Sequence, residues 1–375
     1  MELSMNTLEL SENKEAVKAR TQARNYSIEF LRFFFTIGVI VGHCWCIFYQ
    51  LNEPSYIIWF HNACVDFFFV LSGYFMARHF EAKKTDDKYR TFVNYNLSRI
   101  KRLWPLLFVA ILESIIFDLA CNLLLNRRFY FSTNFWGAFL FLGGLNNFAA
   151  GNIIWYISAL FWCGLLLSAL LCFRKQISVC CCFPLLAFLC LSFMNVWGTT
   201  NLGSIPLVGN WFSVGLIRGT CGLIFGIEGY YLSILIKEKL SLFSEKSILI
   251  SSVLIEIGFI SLVFYLIIKQ HLSNKEFLMY FFAAALLIVF ELNTQKIFKL
   301  FNRKIFGYLG KMSAWLYVLH FYILKSMYYI PKMRLLPHIV VYAVGIIFSL
   351  FFAIFVNFIL TKIAKFIKRF CFINY

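Results

Sequence analysis

Ten long apolar runs divide this chain, and they restrict its fold more than any other feature of the sequence. Each run meets or approaches the roughly 20 residues that a helix needs to cross a bilayer. The runs cover residues 28–50, 57–79, 103–125, 153–173, 178–197, 211–236, 247–268, 277–293, 305–329 and 338–362. A shorter run, 135–148, ends in GGLNN, and we interpret it as a re-entrant or interfacial segment. The pattern predicts an all-α polytopic bundle with about ten membrane helices.

Composition favours a membrane protein over a soluble one. Only 14% of the 375 residues are charged and 61% are hydrophobic, whereas a soluble domain carries about 25% charged residues. The net charge of +17 would suit a nucleic-acid-binding protein, but the basic residues cluster in loops between apolar runs and are not interleaved with aromatic residues that stack on bases. We therefore expect membrane lipid around the chain and no nucleic acid as a partner.

The distribution of basic residues predicts the orientation. With the N-terminus in the cytoplasm and ten alternating helices, most Lys and Arg residues fall on the cytoplasmic side, as the positive-inside rule requires. The opposite side holds Arg127, Arg128, Lys269, Lys275, Lys332 and Arg334. Counting 135–148 as a crossing would place loop 296–304 and the basic tail outside. We expect both termini in the cytoplasm, with an N-terminal segment 1–27, a membrane domain 28–362 and a tail 363–375.

Neither a secretory signal nor a metal site is expected. The first 27 residues are polar and mixed in charge, without a small-residue cleavage site. The 12 cysteines show no metal-ligand spacing, and the adjacent Cys180, Cys181 and Cys182 point in different directions around a helix. Most of the other cysteines lie inside apolar runs, so we interpret them as small packing residues.

The first apolar run contains three ionisable residues, Glu29, Arg32 and His43, within IEFLRFFFTIGVIVGH. Ionisable groups in a membrane helix are costly and indicate a function or a polar partner. Eleven residues turn a helix by three turns plus roughly 20°, so Arg32 and His43 share a face and lie about 16 Å apart along the axis. Glu29 is on the same stripe, about 21 Å from His43. This line must face a protein interior or a water-filled cavity.

The chemistry of this line suits a long substrate with an anionic head and a reactive far end. Arg32 is permanently charged and matches a phosphate or carboxylate, and His43 can accept a proton near neutral pH. Acyl-coenzyme A has this layout, because a long arm joins its phosphorylated nucleotide to a thioester. The alternative is that Arg32 only pairs with Glu29 while His43 is a hydrogen-bonded interior residue, and the spacing leaves both open.

A second basic element, RIKRLWP, lies where the chain enters the third run. Arg99 and Arg102 are three residues apart and are therefore neighbours on one helical face. Together they could grip a phosphate with forked donors. The alternative is ordinary anchoring of the helix at the cytoplasmic surface, with or without anionic lipid.

These motifs, taken in order, resemble the acyltransferase-3 family of bacterial membrane proteins, which O-acylate glycans and other surface molecules. Arg32 and His43 stand at the family's Arg-x10-His motif, VDFFFVLSGY is close to its second-helix pattern, and RIKRLWP matches its Arg-x-x-Arg motif followed by an aromatic residue and proline. Weaker matches are IIWYISALFW and SAWLYVLHFYIL, and the resemblance spans roughly residues 25–324.

Two departures place the chain at a distance from the O-antigen acetylase branch of that family. Glu29 stands where many members carry an Asp two or three residues before the Arg. The segment after Trp155 lacks the Glu that many members have in the fourth-helix motif. Glu29 keeps the carboxylate but changes its reach, and the missing Glu favours another branch, such as those that serve exopolysaccharide or capsule.

The resemblance implies a multi-pass enzyme of the bacterial cytoplasmic membrane. It would move an acyl group from cytoplasmic acyl-CoA to a hydroxyl of a glycan or lipid-linked glycan, with acetyl the expected group and succinyl left open. His43 is the expected general base, Glu29 orients Arg32 or stabilises charge beside it, and Arg32, Arg99 and Arg102 hold the phosphates. Acyl-CoA is a substrate and no permanently bound cofactor is expected. Other polysaccharide-assembly proteins are the expected partners.

Six further polar or aromatic residues are candidates for the cavity wall or the acceptor site: Asp66, Ser72, Trp155, Tyr156, Arg218 and His320. Asp66 is expected to bind His43 or to line the cavity. Arg218 faces the cavity or pairs with Glu228, and Trp155 and Tyr156 anchor at the outer interface or stack on a sugar. For His320 we favour a hydrogen-bonded core residue over a catalyst.

Two other classes of function stay open at this point. A transporter or flippase for a lipid-linked glycan or a small acid would use the same polar cavity, but it needs broken helices in corresponding halves of the chain, and no internal repeat is evident. A non-catalytic scaffold in polysaccharide assembly would retain its function with Ala at Arg32 and His43.

Overall fold

The fold consists of helices that follow the apolar runs. The computed structural model describes residues 25–49, 57–83, 87–125, 135–142, 154–196, 207–208, 212–268 and 274–370, so residues 1–24 of the predicted N-terminal segment lie outside the described part. The helices are α1 (Tyr26–Tyr49), α2 (Ile57–Ala82), α3 (Lys88–Leu125), the short α4 (Phe135–Phe139), α5 (Ile154–Ile177), α6 (Phe183–Val196), α7 (Val214–Lys239), α8 (Glu245–Ile268), α9 (Leu278–Glu291), α10 (Lys304–Tyr328) and α11 (His338–Phe370).

Shorter elements connect these helices. A π-helical turn, Ser178–Cys182, joins α5 to α6 after Arg174, whose φ of −136° and ψ of 41° break the helix. Two-residue strands β1 (Leu207–Val208) and β2 (Phe212–Ser213) pair antiparallel before α7. The 3-10 turns are Leu240–Leu242, Asn274–Phe277, Phe298–Phe301 and Pro331–Leu335.

Each of the ten apolar runs carries a helix, and the predicted all-helical class is confirmed. Six spans are long and apolar enough to cross a membrane by length and composition: Tyr26–Tyr49, Lys88–Leu124, Ile154–Val196, Val214–Leu242, Glu245–Ile268 and His338–Ile363. α2 and α10 are not among them, and both carry polar residues on buried faces. Ten crossings and the cytoplasmic location of both termini stay predictions.

The centre of the bundle is built from α1, α2, α7 and α10. α2 and α7 touch through their backbones, because a methyl group on Gly73 or Gly226 would overlap the carbonyl groups of Leu223 or Val70. α10 packs on α1 on the other side. The ionisable residues of α1 are therefore enclosed by protein on both sides.

The outer faces of the peripheral helices are apolar. On α11 the exposed side chains include Ile347, Phe348, Phe351, Phe355 and Phe358. Such a surface is stable against lipid and unstable against water. The chain is a multi-pass membrane protein.

The start of α1 is held by a segment that a buried carboxylate organises. Glu256 is fully buried, and its two oxygens accept hydrogen bonds from the backbone N–H groups of Lys296, Ile297 and Phe298 at 2.9 to 3.0 Å. The Ser27 hydroxyl then donates to the Phe298 carbonyl at 2.7 Å. Three charge-assisted hydrogen bonds hold this segment in place. Through its bond to Ser27, the segment then holds the first turn of α1.

The predicted re-entrant run, 135–148, contains α4 and a turn up to residue 142, and its remainder lies outside the described residues. The turn is attached to α5, because the Ser158 hydroxyl and the Trp162 indole both donate to the Phe141 carbonyl.

Candidate active site

A cavity of about 480 Å³ opens between α1, α2, α3, α5 and α10, and its wall is cationic. Arg32, Arg99 and Arg102 line it, together with His79. Among the described residues that form this wall, none is an Asp or a Glu. The two basic motifs of the sequence, which are separated by more than 60 positions, therefore meet in one space.

Arg32 lies between a carboxylate and the cavity. Its Nη1 atom donates to Oε2 of Glu29 at 3.1 Å, and the side chain keeps 30% of its surface exposed. Glu29 fits against α10 at Gly310, where a methyl group would overlap the carboxylate. The two alternatives for Arg32 thus coexist, because the residue pairs with Glu29 and also lines the cavity.

Arg99 is almost fully buried, with 3% of its surface exposed. Its Nη2 atom donates to the Leu160 carbonyl at 2.5 Å, and the guanidinium lies against Gly164, where a methyl group would occupy the same space. Its Nη1 atom is buried and meets no hydrogen-bond partner among the described residues. A buried cationic donor without a partner is unfavourable, so an anion that reached this atom would be stabilised by it.

Arg102 and His79 extend the basic wall. Arg102 is exposed and lines the cavity one turn after Arg99. His79, at the end of α2, packs on Tyr95 with ring centroids 4.9 Å apart, and no described residue hydrogen-bonds its buried Nε2 atom. The sequence does not predict His79 as a site residue, because no motif around it distinguishes it from an ordinary histidine at the end of a helix.

Aromatic rings form the wall of the cavity that lies nearest to the histidines. Phe68 of α2, Tyr156 of α5 and Tyr317 of α10 all line the cavity, and the Tyr156 and Tyr317 rings are 5.1 Å apart. Among the predicted residues, Tyr156 and Ser72 line the cavity with the arginines.

His43 forms a hydrogen-bonded pair with His320, which sits 277 positions away. Nδ1 of His43 lies 3.0 Å from Nε2 of His320 and 3.1 Å from the Val39 carbonyl. Nδ1 of His320 lies 3.1 Å from the Leu316 carbonyl. Neither histidine is among the residues that line the cavity.

The backbone carbonyls determine the protonation of this pair. A carbonyl oxygen only accepts, so Nδ1 of His320 and Nδ1 of His43 must both carry a proton when the rings are neutral. Nε2 of His320 then accepts from Nδ1 of His43, and the remaining lone pair of His43 is on Nε2. This assignment follows from the hydrogen-bond pattern. His43 therefore has an unprotonated Nε2 atom that can accept a proton, as a general base requires.

A third imidazole adjoins the pair. The rings of His43 and His61 are 5.1 Å apart, and His61 packs against Gly42, where a methyl group would overlap its Cβ atom. Across the described part of the chain, no group of three His, Cys, Asp or Glu residues has the geometry to hold a metal ion.

Asp66 and Arg218 form a separate buried cluster and not a part of the cavity wall. Arg218 is 1% exposed, and its Nε and Nη2 atoms lie 3.1 and 3.0 Å from Oδ1 of Asp66. The Tyr280 hydroxyl donates to the same oxygen at 2.9 Å, and the Arg218 guanidinium lies 5.6 Å from the centre of the Trp155 ring.

This cluster differs from three expectations. Asp66 binds Arg218 and not His43, and it does not line the cavity. Arg218 pairs with Asp66 and not with Glu228. Trp155 is 5% exposed beneath Arg218, so it is neither an interfacial anchor nor a cavity residue. The physical reason is that a buried guanidinium takes the nearest carboxylate and aromatic face, and these lie on helices distant in sequence.

The fold and the cavity define a membrane-embedded protein with a cavity lined by basic side chains, and one cavity residue, Tyr317, lies 6.0 Å from the ring of His320 in the histidine pair. The family model for the acyltransferase domain Acyl_transf_3 matches residues 25–361, and the chain therefore belongs to this family of membrane acyltransferases. No curated protein and no solved structure matches the chain. The resemblance inferred from the motifs is confirmed over nearly the whole chain.

Proposed function

We propose that this protein is an O-acyltransferase that takes an acyl group from acyl-CoA in the cationic cavity and transfers it to a hydroxyl of a cell-surface or exopolysaccharide glycan. One observation carries the proposal: α1 presents Arg32 to a cavity with three arginines, and eleven residues later it presents a histidine with a basic Nε2. The family supplies acyl transfer as the reaction class.

The donor end is argued from charge. Three arginines without a wall carboxylate attract a polyanion, and guanidinium groups bind phosphates with forked hydrogen bonds. The unpartnered Nη1 of Arg99 gains a partner when a phosphate enters. In a topology of ten crossings with both termini in the cytoplasm, which the positive-inside rule favours, this end of the bundle faces the cytoplasm. Acyl-CoA is made in that compartment.

The reaction step is a direct transfer. Nε2 of His43 takes the proton of the acceptor hydroxyl, and the hydroxyl oxygen attacks the thioester carbonyl carbon. The C–S bond then breaks, and the coenzyme A thiolate receives the proton. His320 holds the Nδ1 proton of His43, which keeps Nε2 unprotonated. A base in this position contributes about 10²- to 10⁴-fold in rate.

The acceptor and the cellular setting come from the family resemblance. Acetyl is the proposed acyl group, the acceptor is a glycan or a lipid-linked glycan, and other polysaccharide-assembly proteins present it at the bacterial cytoplasmic membrane. Glu29 supports the reaction through Arg32, since the two pair at 3.1 Å.

The test uses the purified protein in lipid nanodiscs with acetyl-CoA labelled in the acetyl group. We expect release of coenzyme A and transfer of label to a glycan acceptor, with a loss of about 10²-fold or more in His43→Ala and wild-type rates in the exposed control His338→Ala. In cells, the mass of the surface glycan should fall by one acyl unit per repeat when the gene is deleted. A protein that moves substrate across the membrane without releasing coenzyme A would be a transporter, and the proposal would fail.

A further inference from the structure

Three aromatic rings of the cavity wall pack on one another. Phe68, Tyr156 and Tyr317 come from three different helices, and the Phe68 ring lies 6.4 Å from each tyrosine ring. The two tyrosine rings are 5.1 Å apart. These distances are those of packed aromatic rings, so the three rings form one packed cluster in the cavity wall.

Tyr317 is adjacent to both the cavity and the histidine pair. It lines the cavity, and its ring lies 6.0 Å from the ring of His320, which pairs with His43. Tyr317 and His320 are three positions apart on α10, so the two side chains are neighbours on one helix face, with their ring planes tilted by 58°. The Tyr317 ring is therefore adjacent both to the cavity and to the partner of His43.

The three rings differ in how firmly they are held. The Ser72 hydroxyl, which lies beside the Tyr156 hydroxyl, donates to the Phe68 carbonyl at 2.8 Å. Tyr317 makes no hydrogen bond through its hydroxyl to any residue that the structure describes. The Tyr317 ring can therefore rotate without breaking a hydrogen bond of its hydroxyl to a described residue.

We propose that Tyr317, with Phe68 and Tyr156, is an aromatic partition between the donor cavity and His43 that determines the size of the acyl group reaching the base. A short acyl group passes with a small rotation of the Tyr317 ring, and each added methylene demands a larger displacement of packed rings. Apolar sites discriminate by about 10- to 200-fold for one methylene. This inference rests on the proposed function and adds the residue that sets donor specificity.

The first experiment measures kcat/KM for acetyl-, butyryl- and hexanoyl-CoA. Wild type should prefer acetyl-CoA, and Tyr317→Ala should raise the hexanoyl-to-acetyl ratio by about tenfold or more. Tyr317→Phe keeps the ring and should keep the wild-type ratio. The matched control is Tyr308→Ala, an exposed tyrosine on the same helix, which should also keep it. An unchanged ratio in Tyr317→Ala overturns the inference.

The second experiment does not need turnover. Diethyl pyrocarbonate modifies accessible imidazoles, and mass spectrometry identifies each modified histidine. His320, which is fully buried, should be protected in wild type and in Tyr308→Ala and should react faster in Tyr317→Ala. The exposed His338 reports that the reagent is active. Equal labelling of His320 in wild type and Tyr317→Ala would refute the partition.

The kinetic and labelling experiments distinguish a failure of the proposed function from a failure of the aromatic partition. If wild type does not consume acyl-CoA, the proposed function fails, and the labelling arm still decides whether the rings separate the two compartments. If wild type consumes acyl-CoA while both Tyr317→Ala readouts match wild type, the proposed function stands and the partition is wrong.

Discussion

Arg99 and Arg218 are both buried arginines, with 3% and 1% of their surface exposed, but they meet opposite surroundings. Arg218 lies against a carboxylate, a backbone carbonyl and an indole ring. Arg99 also lies over an aromatic ring, that of Tyr95 at 5.6 Å, and donates to one backbone carbonyl, but its Nη1 atom meets no hydrogen-bond partner in the described part of the chain.

The difference separates a structural charge from a binding charge. A buried ion is tolerated only when its charge is compensated, and Asp66 compensates Arg218 within the fold. No carboxylate lines the cavity beside Arg99 among the residues described there, so the proposed function assigns its compensation to the anionic donor. The comparison leads to four predictions with decreasing effect.

Replacement of Arg218 should have the largest effect, and it should act on stability. Arg218→Met leaves the Asp66 carboxylate buried and uncompensated, which costs about 3–5 kcal/mol of unfolding free energy. Denaturation of the detergent-solubilised protein measures it. Arg303→Met, the same substitution at an exposed site, should unfold like wild type.

The double variant Asp66→Leu, Arg218→Met sharpens this result. Removing both charges replaces an ion pair by apolar packing and should recover most of the lost stability. If Arg218→Met alone unfolds like wild type, Arg218 is not the structural charge of the comparison.

Replacement of Arg99 should act on the donor and spare stability. Arg99→Ala removes a charged hydrogen-bond donor to the substrate, so KM for acyl-CoA should rise about tenfold to a hundredfold with the unfolding midpoint near that of wild type. Lys101→Ala, an exposed cation two positions away that does not line the cavity, should leave KM unchanged. A large fall in stability of Arg99→Ala would make Arg99 a structural charge like Arg218.

Gly164→Ala should reproduce part of the Arg99 effect without changing any charge. The added methyl group overlaps the Arg99 guanidinium and displaces it, which should raise KM for acyl-CoA by about threefold to tenfold. Gly229→Ala is the control, because its nearest contact is a small side chain, Ala284, at 3.3 Å. Equal KM values in the two variants would contradict the placement of Arg99.

Salt should produce the smallest effect and should act on one region only. Raising the ionic strength about tenfold screens charges that are open to water, so acyl-CoA binding to the cavity should weaken several-fold. The buried Asp66–Arg218 pair is screened much less, so the unfolding midpoint should hardly move. Titration of coenzyme A binding and thermal unfolding at two salt concentrations measure both.

The helices were predictable from the sequence because apolar length reports directly on bilayer thickness. The shared face of Arg32 and His43 was predictable as well, since both lie on one helix and helical geometry relates them. Arg99 joins them in the cavity through a long-range contact that no spacing in the sequence encodes.

The partners of the buried charges were not predictable for the same reason. Asp66 and Arg218 lie 152 positions apart, and His43 and His320 lie 277 positions apart. The adjacent Trp155 and Tyr156 look equivalent in the sequence, but successive residues on a helix point about 100° apart. One therefore lies under Arg218 and the other on the cavity wall.

The anchored start of α1 has a consequence for donor choice. The segment that Glu256 holds is hydrogen-bonded to Ser27. These bonds fix the position of the start of α1 along the helix axis, and so they fix the positions of Arg32 and His43. The interval from Arg32 to His43 along α1 is about 16 Å, and under the proposed function the donor bridges this interval. A donor that carries its acyl group directly on its phosphate is too short to span this interval. A donor with an extended arm between the phosphate and the acyl group is long enough.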